Sequence, residues 1–476
     1  MGSSSALWDA FRSRTGGLGG QIAVRAPGAE LTYDELWRDA ERLARLLAEG
    51  GVAEGRVAGL ALGNSPRFVV AFLALCRLDA TVALLPPQYG VSELRAIASG
   101  VGLTSIVADL GAAGTIEEAV PIASSSRGDG FEVLVPAAVS GEVTSGDDAL
   151  LKFSSGSTAE PKGIPLTAGN VIAEADNVTT TLGLGPDDRI LAGVPLFHSY
   201  GFDLGVLPTL YAGTTLVLED AFAPRRTLGR LAEVTAFLGV PAQYRAFLAT
   251  GLAAVPDLSA IRWLLSCTAP LAPETISDFL SRFGVPICQH YGSSETGAAT
   301  NHVPDEVRSR PASVGRPITG VHVTALDDGE LVVSSDAVAR GYLLGAPDGP
   351  SPLRGGVFRT GDLGSIDADG FVTLIGRKDA MINVGGLKVA PAEVAAALER
   401  HEAVREAAVL GLPDGRGEEV VYAVVALAGP AEEDELLAFC RQELAEHKVP
   451  RRIEIRDALP RTAAGKVRVS VEDLAL

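Results

Sequence analysis

A strand, a helix and a second strand follow one another between residues 57 and 85. Val57 to Leu62 is a short apolar run, Ser65 to Leu78 stays apolar over several helical turns, and Thr81 to Leu85 is apolar again. Strand, helix, strand at this spacing implies a parallel α/β sheet with the helix crossing one face. The pattern returns around Ser105 to Ala108 and once more after residue 148, where Asp147-Asp148 precede the strand Ala149 to Phe153. Upstream, Thr32 offers an N-cap and Glu35 closes a capping box. The helix that follows, through Ala48, places Leu36, Leu43 and Leu47 on one stripe. Thr167 is expected to cap a further helix running to about Leu182.

The texture changes after residue 320. Short strands (Val321 to Ala325, Glu330 to Val333, Phe371 to Ile375) are separated by Asp-Asp-Gly, Gly-Gly and Ala-Asp-Gly turns, which predicts a small antiparallel or barrel-like unit. The last hundred residues read as an α+β module: helix Pro391 to His401, strand Glu406 to Leu412, strand Glu419 to Leu427, helix Glu432 to Glu443. A chain of 476 residues is too long for one core. The expected division is a large domain over 1–378 and a small one over 379–476, with the boundary at Lys378-Asp379.

Composition excludes some partners. A net charge of -19 argues against broad binding to nucleic acid or anionic membrane. The apolar run Phe68 to Cys76 ends at Arg77, too short for a membrane span, and no charged-then-apolar leader opens the sequence. Cys76, Cys267, Cys288 and Cys440 have neither metal nor redox spacing, so buried thiols in a reducing cytoplasm are expected.

Two segments carry the first chemical signal. Ser154-Ser155-Gly156-Ser157-Thr158-Ala159-Glu160-Pro161-Lys162-Gly163 combines small and hydroxyl-bearing residues whose N–H and O–H groups suit an anion, with Lys162 as a point charge for phosphates. The loop is expected at a strand-to-helix turn. It is not a Walker loop, since no Gly-Lys-Ser/Thr opens a helix after the fourth spacer residue. Near the C-terminus, Pro460-Arg461-Thr462-Ala463-Ala464-Gly465-Lys466 presents one lysine on a Gly turn. Phosphate loop and distant lysine together suggest ATP chemistry at a domain boundary.

The first segment resembles the Ser/Thr-Ser-Gly-Ser/Thr-Thr-Gly-x-Pro-Lys-Gly signature of adenylate-forming enzymes, with Ala159 where that family usually has Gly. Further matches fall in the family's order. Gln289-His290-Tyr291-Gly292-Ser293-Ser294-Glu295-Thr296 resembles its Tyr-Gly-x-Thr-Glu segment. The resemblance puts this Tyr291 region against adenine, Ser294 on the α-phosphate and Glu295 on Mg²⁺, where a hard cation shared with ATP needs few protein carboxylates. Thr268-Ala269-Pro270 resembles the turn walling adenine, and Thr360-Gly361-Asp362-Leu363 the segment whose carboxylate accepts the ribose hydroxyls. Gly376-Arg377-Lys378-Asp379 resembles the hinge, with Arg377 on ribose and Asp379 as pivot. Lys466 would stabilise charge building on the α-phosphate as pyrophosphate departs.

On the acid side, Val194-Pro195-Leu196-Phe197-His198-Ser199-Tyr200-Gly201 resembles the substrate wall of acyl- and aryl-CoA synthetases, with His198 by the carboxylate and Tyr200 lining the pocket. Relatives that activate α-amino acids carry an Asp near the Tyr200 position to pair the ammonium. Asp203 falls out of register with it, so an acid without an α-amine is expected. Asn383-Val384-Gly385-Gly386-Leu387-Lys388 resembles the stretch that meets a pantetheine arm, with Asn383 where some relatives have Lys. Lys448, Arg451, Arg452 and Arg456 form a basic cluster that suits the 3′-phosphate of CoA, an acidic carrier protein, or a solvated face.

The resemblance therefore implies an α/β N-terminal domain with a β-barrel-like unit and a small mobile α+β C-terminal domain. It implies ATP, Mg²⁺, a small carboxylic acid, and CoA or a phosphopantetheine thiol as acceptor. A stand-alone ligase loading a carrier protein is the alternative, and a non-catalytic nucleotide-binding homologue a remoter one. A cytoplasmic location is expected.

Overall fold

Two mixed sheets with parallel centres share the first of two compact units, and their order shows how the expected strand–helix–strand units assemble. A computed structural model describes residues 4–110, 113–128, 131–137, 146–155, 161–251, 255–344, 351–384, 387–413, 419–461, 467, 469–470 and 473–474. In the seven-stranded sheet, Val57–Ala61 lies between Thr81–Leu84 and Leu103–Asp109, parallel to both. Thr81–Leu84 in turn pairs in parallel with Asp148–Ser155. The helix Pro66–Arg77 is buried on nearly every face, in keeping with its continuous apolar sequence. The capping box at Thr32 and Glu35 forms, and the helix Tyr33–Glu49 buries Leu36, Leu43 and Leu47.

The nine-stranded sheet has a parallel centre. Ile287–Ser293, Trp263–Ser266, Ala236–Gly239, Arg189–Ala192 and Thr215–Val217 run alongside one another with Ile22–Ala26. Antiparallel strands close both sides, Gly297–Asn301 beside Ile287–Ser293 and Ala29–Thr32 beside Ile22–Ala26. The helix Ala168–Leu182 starts at the expected Thr167 cap and stops at Gly183, whose φ of +57° permits the left-handed turn. It touches Asp148–Ser155 of one sheet and Gly297–Asn301 of the other, so it bridges the two layers.

One expectation is corrected here. The predicted phosphate loop does not lead from a strand into a helix. Asp148–Ser155 turns back as Pro161–Thr167, antiparallel, with Ser154 opposite Lys162, and the helix begins only after Thr167. Apolar residues at Ile164 and Leu166 give the return segment a strand period, and this decides against an immediate helix.

The second unit comprises Thr324–Val332 and Arg359–Leu476, the first Met1–Val323 and Val333–Phe358. Within the second, residues 362–366 of the strand Val357–Ile366 pair antiparallel with Val372–Arg377. Val404–Pro413, Glu419–Leu427 and Arg452–Arg456 form a three-stranded sheet, packed with helices Pro391–Glu399 and Glu433–Glu443 around Val394, Leu398, Ala423, Val425 and Leu436. The expected boundary at Lys378-Asp379 thus lies inside this unit, because the strands around Asp362 cluster with the C-terminal module. Among the described residues no helix is long and apolar enough to cross a membrane.

Candidate active site

In the first unit, three expected site segments meet around the turn that carries Ser294 and Glu295. Ser293 and Thr296 close this turn reciprocally: Ser293 N–H donates to Thr296 Oγ1 at 3.1 Å and Thr296 N–H to Ser293 Oγ at 3.2 Å. Gly292 is required beneath it, since a Cβ there would collide with the Gly297 carbonyl. Glu295 is buried, with its Oε1 accepting the Tyr342 hydroxyl at 3.0 Å. The Lys162 ammonium stands 5.5 Å from the centre of the Tyr342 ring, a cation–π contact. Two further bonds, Gly163 N–H to Leu344 O and Ala339 N–H to Glu295 O, hold the 339–344 segment against both motifs. The phosphate-loop lysine and the candidate Mg²⁺ carboxylate therefore share one tyrosine.

The acid-side wall joins the same turn. Ser199 Oγ and Ser294 Oγ are 2.8 Å apart. Asn64 pins the wall from behind, donating to Val194 O at 2.9 Å and accepting from Leu196 N at 2.8 Å. His198 caps the short helix Ser199–Gly201, its Nδ1 accepting from Tyr200 N at 3.4 Å. The chain then widens into a π-helical turn over Phe202–Val206, a distortion frequent at functional sites.

Two expected nucleotide contacts have protein partners of their own. Gln289 is committed to the scaffold: its amide donates to Pro311 O and Ser313 O at 3.0 and 2.8 Å and accepts from Leu271 N at 3.4 Å. His290 points to the opposite face of its strand from Tyr291 and stacks on Tyr200, ring centres 5.9 Å apart and 22° from parallel. Its ring therefore packs on the segment expected to wall the acid. A small void of about 10 Å³, room for about one water, lies beside it, lined by His290, Leu204, Ala298, Val178, Asn301 and Ile318 among others.

Asn301 Nδ2 donates to His302 O, which leaves its Oδ1 facing His290 Nδ1 at 3.2 Å, so the imidazole carries its proton on Nδ1. Burial lowers the His290 pKa to about 4. The unfolded chain binds a proton below pH 6.5 that the folded chain refuses until about pH 4. Stability is therefore expected to fall between those pH values, by up to about 3 kcal/mol from this residue. His302, also lowered to about 4 by burial, adds a similar share. Urea midpoints at pH 7 and 4.5 should show the loss, and His290→Phe should remove about half of it.

Asp203, on the π-turn, has its charge matched inside the protein. Lys152 Nζ donates to both of its carboxylate oxygens at 2.6 and 2.7 Å, with both side chains almost fully buried. Burial pushes the Asp203 carboxyl up and Lys152 draws it back. Lys152→Met strands that carboxylate next to Glu174, so a loss of about 3–5 kcal/mol is expected in chemical denaturation. The double variant Lys152→Met/Asp203→Leu should recover most of it. Full stability in the single variant would contradict an intact ion pair.

In the second unit, Asp362 and Arg377 are cross-strand partners. Arg377 Nη1 donates to Thr360 O at 2.7 Å and lies 3.4 Å from Asp362 Oδ1, while Nε and Nη2 grip both oxygens of Asp379 at 3.0 Å. Gly361, at φ +72°, leaves room for the guanidinium against the backbone. The two expected ribose residues and the expected pivot thus form one cluster. Asn383 lies opposite Lys388 in an antiparallel pair of short strands, and Lys388 is exposed. In the basic cluster, Lys448 is bonded to Glu393 and Arg456 to Glu454, each at 2.6 Å, leaving Arg451 and Arg452 as its exposed cations.

Elsewhere in the first unit, Thr268 holds φ +76°, a strained position for a β-branched residue and a common mark of a ligand-facing turn. Ala269 and Pro270 beside it are exposed. Gly156, Ser157, Thr158, Gly385, Gly386 and Lys466 lie outside the described residues, as do the side chains of Ser154 and Ser155. Sequence reasoning missed Tyr342, Ser199 and Lys152. An aromatic residue in Ala-Arg-Gly-Tyr342 and a lysine inside the apolar strand Ala149 to Phe153 were the available signals.

Residues 11–343 match the AMP-binding enzyme family and residues 393–466 the AMP-binding enzyme C-terminal domain. The chain belongs to the AMP-binding, adenylate-forming enzymes. It is 35% identical to a feruloyl-CoA synthase of Amycolatopsis sp over 94% of each chain. It is 33% identical to a 2-succinylbenzoate–CoA ligase of Geobacillus kaustophilus over 94% of this chain and 93% of that one. An anthranilate CoA ligase, AuaEII, in complex with anthranoyl-AMP, superposes with a TM-score of 0.84 at 26% identity, over 97% of this chain and 95% of the other. Like the relatives named, this adenylate-forming enzyme is an AMP-forming acid–thiol ligase.

Proposed function

We propose that this enzyme converts a small carboxylic acid lacking an α-amine into its acyl-adenylate and then passes the acyl group to the thiol of CoA. The observation that carries the reading is the 2.8 Å contact between Ser199 and Ser294. It joins the wall expected to face the acid to the turn expected to face the α-phosphate, as attack of one upon the other requires. Support for an acid without an ammonium comes from Asp203, whose charge Lys152 already neutralises. The named relatives act on ferulate, 2-succinylbenzoate and anthranilate, so aromatic acids head the list of substrates.

In the first step a carboxylate oxygen attacks the α-phosphorus and pyrophosphate leaves. Ser294 and Lys466 would stabilise the charge on the non-bridging oxygens, Lys162 would hold the outer phosphates, and Asp362 and Arg377 would fix the ribose. Among the described residues no three His, Cys, Asp or Glu side chains cluster as a metal cage, while Glu295 offers one buried carboxylate beside Tyr342. That donor set fits Mg²⁺ carried in largely by phosphates and water, with Glu295 as its protein ligand. Bound there, the cation would neutralise phosphate charge. In the second step the thiol displaces AMP from the acyl carbon, with Gly385, Gly386 and Lys388 as the proposed approach for the pantetheine arm.

ATP–pyrophosphate exchange across a panel of aromatic, aliphatic and amino acids tests the first step, and CoA against a phosphopantetheinyl carrier protein tests the second. Exchange with none of the acids would remove the reading. Thioester formed on the carrier alone would replace CoA as the acceptor.

A further inference from the structure

Glu174 is a buried carboxyl to which the reaction above assigns no role. It lies on the helix Ala168–Leu182 and is 3% exposed. Its Oε1 accepts the Ala298 N–H at 2.8 Å, while its Oε2 has no hydrogen-bond partner among the described residues. The same carboxyl fills the space over Gly297, where any Cβ would collide with it, and Gly297 itself sits at φ +67°. Gly297 and Ala298 are the residues that leave the Ser293–Thr296 turn.

The turn is thus held from several directions. Ser199 meets Ser294, Tyr342 and Ala339 meet the side chain and backbone of Glu295, and Glu174 meets the exit. The Lys152–Asp203 pair interacts electrostatically with Glu174. Lys152 lies on the strand that feeds the phosphate loop, and Asp203 three residues beyond Tyr200. Burial first, and the Asp203 charge second, push Glu174 up to about 8. Glu174 is thus biased toward its protonated form beside an Asp203 whose carboxylate is bonded to Lys152.

An apolar side chain would fill this position at lower desolvation cost. A carboxyl at hydrogen-bond distance from one N–H, and packed on the adjoining glycine, specifies the backbone path there. We propose that Glu174 is a positioning residue for adenylation, fixing through Ala298 and Gly297 the turn that offers Ser294 to the α-phosphate and Glu295 to Mg²⁺. This rests on the roles given to Ser294 and Glu295 above.

The test compares Glu174→Gln, Glu174→Asp and Gly297→Ala. Glutamine keeps an acceptor at the same reach, so exchange should stay within about threefold of the parent. Aspartate withdraws the acceptor by one methylene, and alanine at 297 both crowds the same carboxyl and strains a backbone held at φ +67°. Both should lower kcat for exchange at least tenfold and raise the Mg²⁺ concentration for half-maximal rate, while KM for the acid stays within twofold. Both should also reduce the rise in unfolding temperature that Mg²⁺–ATP gives the parent. Gly297→Ala keeps the question open to measurement if the aspartate variant proves unstable. A folded aspartate or alanine variant with parental kcat and Mg²⁺ dependence would overturn the proposal, and so would a glutamine variant as impaired as the aspartate one. A parent that neither exchanges pyrophosphate nor responds to Mg²⁺–ATP would instead remove the functional reading itself.

Discussion

Lys466→Ala is expected to abolish ATP–pyrophosphate exchange while leaving thioester formation from supplied acyl-adenylate largely intact. The reason is the timing of charge. Negative charge builds on the non-bridging oxygens only as the carboxylate attacks and pyrophosphate leaves, so a lysine placed there acts on that transition state and not on the later thiol attack. An ammonium aimed at developing charge in a site closed to water acts more strongly than one in solvent. A loss of at least a thousandfold, about 4 kcal/mol of barrier, is the expected size. Exchange within tenfold of the parent would remove Lys466 from the first step. Equal losses in both half-reactions would mean the alanine disturbs the whole C-terminal module.

Asp379→Pro is expected to separate the two half-reactions, sparing adenylation and lowering thioester formation by at least about a hundredfold, near 2.7 kcal/mol of barrier. Lys466 and the Gly385-Gly386 stretch belong to one module yet are assigned to successive steps, so that module is proposed to turn about Asp379 between them. Proline fixes φ near −65° and deletes an N–H, which holds such a pivot near one conformation. The structure adds a control. Asp379 also accepts both bonds of the Arg377 fork, so proline removes a carboxylate as well as a freedom. Asp379→Ala removes only the carboxylate, and its two half-reactions should stay within a few-fold of each other. Thermal unfolding with and without ATP must accompany both variants, since a misfolded protein loses both steps. Thioester formation at the parental rate in the folded proline variant would mean that residue 379 is not the pivot.

Elements with strong local signals were legible in the chain. The Thr32–Glu35 and Thr167 caps, the buried helix Pro66–Arg77, and the strands of the C-terminal module lie within a few residues of where the pattern put them. Capping and periodicity act over one or two turns, so the sequence states them directly. Family and chemistry were legible for a related reason. Each motif is a contiguous run, proposed to serve one ligand group, and the runs occur in the family's order.

What the sequence alone determined was the alphabet of this protein: parallel α/β units, an α+β tail, and the motifs of an adenylate-forming enzyme. Only the tertiary structure decided which residues share a site. Lys162, Tyr342 and Glu295 come from three separated segments, and so do Lys152, Glu174 and Asp203. The face on which His290 falls follows from strand register, which the nine-stranded sheet sets through partners far along the chain. Ion pairs, stacking and buried carboxyls depend on distances between segments. Those distances are fixed by how the two sheets and the helix Ala168–Leu182 pack together, and no local run of residues encodes them.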